Sequence, residues 1–240
     1  MKKIYTDHNK TNMSILEHLE ELRERIFHSF LVFFIATTIC LLYVKQIAFL
    51  LQEPASGIKF LQLAPGEYLF VSIKIAIYLG ATISSPFTIY QIMLFILPGL
   101  TREEAKYIVP TLIGSILLFF CGMTFSYEIL IPAALKFLIN YGSNIVEPIW
   151  SFEEYFNFVL LLLLSTGIAF QIPIIQIFLG IFKIISSKNM LKYWKYVAFI
   201  SSIIGAIITP STDPITQILM TSAMLLLYLS GIIILKFLDK

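Results

Sequence analysis

The sequence predicts an all-α integral membrane protein of six spans, on three observations. The chain is 58% hydrophobic and only 13% charged over 240 residues, far more apolar than a soluble domain requires. Apolar runs of span length recur at roughly 26–44, 68–97, 108–128, 155–182, 195–209 and 215–235, as a helical polytopic protein needs. The loops between them alternate in charge. Lys2, Lys3, Lys10, Arg23, Arg25, Arg102, Lys106, Lys183, Lys188, Lys192, Lys195, Lys236 and Lys240 fall on one side, and only Lys45, Lys59 and Lys136 on the other. The positive-inside rule then places both termini in the cytoplasm, or in the stroma of a plastid. Residues 1–240 read as one membrane domain.

The segment 1–25 is polar and opens on no cleavable signal pattern, because the following run is long enough to span and lacks a small-residue exit site. Ser14-Ile15-Leu16-Glu17 is a capping box that starts a helix over 14–25. Ile15, Leu19, Leu22 and Ile26 form one apolar stripe, so this helix lies on the membrane or packs on other spans. Glu17, Glu21, Glu24 and His28 line another face. Two readings of that face stand side by side: a solvated surface laced by i,i+4 pairs such as Glu21 with Arg25, or a carboxylate cluster that receives a cationic partner.

The second and fourth runs approach thirty residues, so tilt or kinks are expected, with Pro86 and Pro173 as the bending points. Lys74 is the clearest charge inside a span and can snorkel to the outer end. Thr101 to Glu104 is a second capping box, which gives Glu104 a purely local role at the start of the third span. The outer connection over 128–154 contains Pro132, Pro148 and Trp150, and its apolar start could form an amphipathic cap. The last two spans read as short and are joined by Pro210-Ser211-Thr212-Asp213-Pro214. Two short neighbours would thin the bilayer there, unless Tyr193, Trp194 and Lys195 extend the fifth span by snorkelling.

Several chemistries are excluded. All three histidines (His8, His18, His28) lie in or beside the N-terminal segment, so no metal-dependent or triad chemistry is available at membrane depth. No P-loop is present. Cys40 and Cys121 are isolated in apolar runs without metal or redox spacing. Nothing points to an enzyme, a metal, a cofactor or a nucleic-acid partner. An ion-coupled transporter would show carboxylates near the midplane, where this chain has the neutral Gln171.

Four motifs carry a resemblance: His18-Leu-Glu-Glu-Leu-Arg23, Ser85-Pro-Phe-Thr-Ile-Tyr-Gln91, Pro98-Gly-Leu-Thr-Arg-Glu-Glu104 and Phe170-Gln-Ile-Pro173. In this order, over about 14–236, they resemble the TatC family, the multi-span core subunit of the twin-arginine protein translocase. The resemblance implies a receptor that binds Arg-Arg signal peptides of folded cargo, with transport driven by the proton-motive force. It implies single-span TatA- and TatB-like partners, a homo-oligomer within a receptor complex, and a surround of membrane lipid. By motif, the signal-binding carboxylates fall on Glu21 and Glu104, supported by Glu20, Glu103, Phe95 and Pro98, with Leu100 shaping the loop. Arg23 is expected to order the neighbouring carboxylates, and Pro54 and Pro173 to be structural. Gln171 stands where many members carry a glutamate; it resembles members of photosynthetic lineage and is a candidate contact for a partner span or the signal's apolar stretch. A plastid thylakoid membrane is favoured over a bacterial inner membrane. The rivals are a small-solute secondary transporter and a membrane assembly scaffold.

Overall fold

The computed structural model describes residues 15–142, 149–208 and 213–238. The expectations that concern Lys2, Lys3, Lys10, Ser14, Glu147, Pro148, the 210–212 turn and Lys240 lie outside the described residues. Five helical stretches are long and apolar enough to span a membrane: Leu16–Leu42, Glu67–Gly99, Ile108–Tyr141, Phe152–Ile181 and Pro214–Phe237, with a shorter apolar helix at Trp194–Ile208.

The N-terminal helix and the first span are one element, α1 (Ile15–Leu42). Neither proline nor glycine occurs in Ile15–Leu42, so the polar segment runs into the apolar one without a joint. A turn at Tyr43 leads to α2 (Val44–Gln52), followed by the 3₁₀ turn Glu53–Ala55 with Pro54 at its centre. Strand β1 (Lys59–Leu61) follows. Helix α3 (Glu67–Ile96) is about 45 Å long at 1.5 Å per residue, well above the roughly 30 Å of a bilayer core.

Pro86 lies within α3 without ending it. A proline there leaves the carbonyl four residues earlier without its donor, and the Ser85 hydroxyl donates to that Thr82 carbonyl at 2.7 Å. In a membrane, such re-satisfaction is what makes a helix-interior proline tolerable.

After α4 (Arg102–Ala105) the third span is α5 (Ile108–Phe125), continued through a π segment at Ser126–Leu130 into α6 (Ile131–Gly142). The expected amphipathic cap is therefore a helical extension of the third span. Strand β2 (Ile149–Ser151) precedes the fourth span, which breaks into α7 (Phe152–Ala169) and α8 (Ile172–Ile181), with Pro173 in the first turn of α8. Helices α9 (Ser187–Lys192), α10 (Trp194–Ile208) and α11 (Pro214–Leu238) complete the fold.

Two expectations are corrected. The last two spans were both expected to be short, but only α10 is; α11 has 25 residues, about 37 Å. Asp213 caps its start by accepting the Thr216 N–H at 2.7 Å, and the helix runs on past Lys236, whose stem can reach the interface. The all-α assignment also missed β1 and β2, which pair in parallel with Lys59 opposite Ile149 and Leu61 opposite Ser151. Three-residue strands carry too little periodicity to be read from sequence.

The principal core lies where α3, α6, α7 and α11 meet, around the fully buried Val71, Ile75, Leu130, Ile131, Phe156, Leu160, Leu162 and Met220. Lipid tails are as apolar as these side chains, so close backbone approach must contribute where the hydrophobic effect does not. Gly80 of α3 provides it against α1: a Cβ there would sit 2.8 Å from the Thr37 Cα.

At the end bearing β1 and β2, the buried Glu67 acts as a hub. It accepts the Leu63 and Ala64 N–H groups at 2.6 and 3.0 Å and the Glu153 N–H at 2.9 Å. Lys74 does more than snorkel. Its Nζ donates to Glu153 at 2.5 Å and to Asn157 at 3.0 Å, tying α3 to α7.

Candidate functional site

The opposite end of the bundle gathers the N-terminus of α1, the C-terminus of α3, the α3–α5 loop and the end of α8. His18 of α1 stacks on Phe95 of α3, with ring centroids 4.3 Å apart and planes 15° from parallel. One turn further along α1 is Glu21. It is partly buried, and its Oε1 accepts the Nε of Arg25 at 3.0 Å and the Nη2 of the same guanidinium. The Nη1 of Arg25 reaches across to Oε1 of Gln91 on α3 at 3.2 Å. The other carboxylate oxygen of Glu21 is shut off from solvent without a hydrogen-bond donor; Nδ1 of His18 lies 3.8 Å from it.

The i,i+4 pair foreseen between Glu21 and Arg25 therefore forms, and it accounts for only one of the two carboxylate oxygens. It is Arg25, not Arg23, that pairs with Glu21. Arg23 points to solvent on the far side of the helix and makes no ion pair among the described residues. Glu20 is exposed beside it. The stripe residues Leu19 and Ile26 are also exposed, so this part of α1 does not use them against its own chain.

Beyond α3, Leu97–Gly99 forms a 3₁₀ turn with Pro98 exposed at its surface, and Leu100 is extended. Thr101 then caps α4 in the box predicted from the sequence: its N–H donates to Oε2 of Glu104 at 2.8 Å. The Thr101 N–H and hydroxyl hold the Glu104 carboxyl below the usual carboxylate range, and the ammonium of Lys183, at the end of α8, adds in the same direction. Lys183 adopts a left-handed φ of 56°, an uncommon backbone state for a residue with a side chain. The described residues include the backbone of Glu103 but not its side chain. No hydrogen bond or ion pair joins Glu21 to Glu104 among the described residues; each belongs to its own small network on the same end.

Gln171 sits at the break between α7 and α8 and is only half buried. Its Oε1 accepts the Ser115 hydroxyl, and its Nε2 donates to the Ser115 carbonyl at 3.1 Å. The amide is thus engaged within the chain, holding α8 against α5. Gln91, His18 and Ser115 were not singled out as site residues from the sequence, since contacts across 66 and 56 positions leave no local spacing signal.

A family model described as Sec-independent protein translocase protein (TatC) matches residues 17–222. The chain belongs to the TatC family. Its relatives include the "uncharacterized tatC-like protein ycf43" of Gracilaria tenuistipitata var. liui, 68% identical over 96% of this chain and 97% of that protein. The Sec-independent protein translocase protein TatC of Synechocystis sp. is 52% identical over 95% and 90% of the two chains. The chloroplastic TATC of Pisum sativum is 48% identical over 91% of this chain and 63% of its own length. A crystal structure of the twin-arginine translocase receptor TatC superposes with a TM-score of 0.82 at 39% identity, covering 91% of this chain and 99% of that one.

TatC membership makes the chain a subunit of the receptor class of the twin-arginine translocase, a non-enzymatic family. The algal and chloroplast relatives agree with the plastid thylakoid membrane expected from the sequence, and a bacterial relative matches as well.

Proposed function

We propose that this TatC-family chain is the signal-recognition core of the translocase: it binds Arg-Arg signal peptides of folded cargo through Glu21 and Glu104 and supports their proton-motive-force-driven transport. The observation that carries this reading is the second oxygen of Glu21, buried and without a donor at the end of the bundle where the positive loops meet. A desolvated acceptor left unmade is costly, and a planar guanidinium can satisfy two carboxylate oxygens at once where an ammonium cannot. Glu104 supplies a second carboxylate on the same end, kept ionised by its cap. Phe95 and His18 form an aromatic floor beside Glu21, suited to stacking on a guanidinium plane. Glu20 adds negative potential nearby, and Pro98 shapes the connecting turn.

Further along the chain, Gln171, only half buried at the break in the fourth span, is the candidate contact for a partner helix or the apolar part of a signal. Single-span TatA- and TatB-like subunits and further copies of this chain have exposed intramembrane faces to use, such as Phe199 and Ile207 on α10. The test is photocrosslinking from positions 21 and 104 to a signal peptide, in Arg-Arg and Lys-Lys forms. Crosslinks that depend on Arg-Arg and vanish on charge reversal of either glutamate support the reading. Equal crosslinking of both peptides, or none, returns Glu21 and Glu104 to pairing and capping and reopens the transporter and scaffold alternatives.

A further inference from the structure

We infer that Arg25 is an internal competitor for the Glu21 carboxylate, a resident guanidinium that an incoming signal-peptide arginine must displace, so that the Glu21–Arg25 pair sets the affinity threshold of the site. The inference rests on the receptor reading above and adds a residue to it.

Three features of the pair support exchange over a fixed structural role. The resident contact is incomplete. Both Nε and Nη2 of Arg25 fall on the same oxygen, Oε1, while Oε2 is buried without a donor. A helical i,i+4 geometry brings the guanidinium onto the carboxylate from one side only, so the fork is not matched to both oxygens. A ligand arginine is free of that tether and can present its fork to both, which is the stronger arrangement.

Displacement also leaves Arg25 a hydrogen-bond acceptor. Nη1 of Arg25 already bonds Gln91 on α3 at 3.2 Å, so the side chain keeps a polar partner when Glu21 lets go. Finally, the pair sits at the surface end of the bundle, with the two side chains 21% and 18% exposed. A guanidinium there can turn to water without crossing the apolar interior. A fully buried pair, by contrast, would be locked by the cost of separating its charges.

A site whose competent form is populated for only a fraction of the time binds with an affinity reduced by that fraction. If Arg25 holds Glu21 about nine-tenths of the time, removing it strengthens binding about tenfold. The experiment measures the Kd of a fluorescent Arg-Arg signal peptide for the full-length protein in nanodiscs, with Arg25→Gln, Arg25→Lys, Glu21→Gln and the double variant Glu21→Gln/Arg25→Gln.

The expected result is a Kd about tenfold lower in R25Q, a smaller gain in R25K, which keeps the charge but loses the fork, and no gain from R25Q once Glu21 is already Gln. Should R25Q fail to give a monodisperse protein, R25K carries the same prediction with the charge retained. An unchanged or weaker Kd in R25Q and R25K overturns the inference and makes Arg25 a positioning residue for Glu21. So does an equal gain in the Glu21→Gln background, which would reduce the effect to general charge removal. Failure of the receptor reading is a different outcome: the unmodified protein then binds Arg-Arg and Lys-Lys peptides alike, and E21Q changes neither.

Discussion

Gln171 grips Ser115 from both sides, its Nε2 donating to the Ser115 carbonyl at 3.1 Å while its Oε1 accepts the Ser115 hydroxyl. A glutamate at this position could keep the second contact when ionised but has no N–H for the first, and it would bring a charge into the fourth span at considerable cost. Q171E is expected to lower the thermal midpoint in detergent. Loss of the pair should cost roughly 1 kcal/mol, checked by comparing Q171E, Q171L and S115A. If Q171E proves as stable as the parent, the Ser115 clamp does not contribute.

The Thr101–Glu104 box is a pH-sensitive element. The folded-state pKa of Glu104 is lowered, first by the Thr101 N–H and hydroxyl. The closed box therefore contributes stability that is fully present above the ordinary glutamate range and is lost as the pH falls through the lowered value. Amide exchange over 101–105 should show protection near neutrality that fades on acidification, after removal of the intrinsic pH dependence. E104Q should show little of this acid-side change, and a parent profile flat down to strong acid would contradict the assignment.

Gly80 is predicted to be intolerant of any side chain. A Cβ would lie 2.8 Å from the Thr37 Cα and 2.9 Å from its N, so shortening the Thr37 side chain cannot relieve the clash. G80A should destabilise by about 1–3 kcal/mol through forced separation of α1 and α3. T37A in the same background should not restore the midpoint. Because Arg25, the partner of Glu21, bonds Gln91 across that interface, G80A should also change signal-peptide binding.

At the other end of the molecule, Lys74–Glu153 and Glu67 make opposite predictions. The ion pair is over one-third exposed on both partners, so a K74A/E153A double-mutant cycle should return a coupling of about 0.2–1 kcal/mol. Glu67 is buried and holds three backbone N–H groups, so E67A strands three donors at once. Its midpoint should fall further than that of K74A, and the reverse order would assign the integrity of the β1–β2 end to the ion pair.

What could be read from the sequence was local. The Thr101–Glu104 box and the Glu21–Arg25 pair depend on spacings of three and four, and both are formed. The spans were visible because length and apolarity are properties of a window of sequence. The carboxylate's surroundings were not. Gln91 is 66 positions from Arg25, and only the α1–α3 packing brings them together. Arg23 and Arg25 are both near Glu21 in sequence, and the helical angle lets Arg25 pair with it. The length of α11 was underestimated because its terminal Lys236 read as a boundary, whereas the helix carries it onward.

The pairing of β1 with β2 has a consequence for the order of assembly. Lys59 and Ile149 face each other, yet the second and third spans are made between them. At about 5–20 residues per second, the ninety residues from 59 to 149 take roughly 5–20 s to emerge. Throughout that interval, Glu67 lacks the Glu153 N–H, and β1 has no partner strand. The β1–β2 pair therefore closes only after α3 and α5 have both been made. A nascent chain with one of these two spans misthreaded would leave the strands on opposite faces, where neither the β1–β2 pair nor the Glu67–Glu153 contact can form.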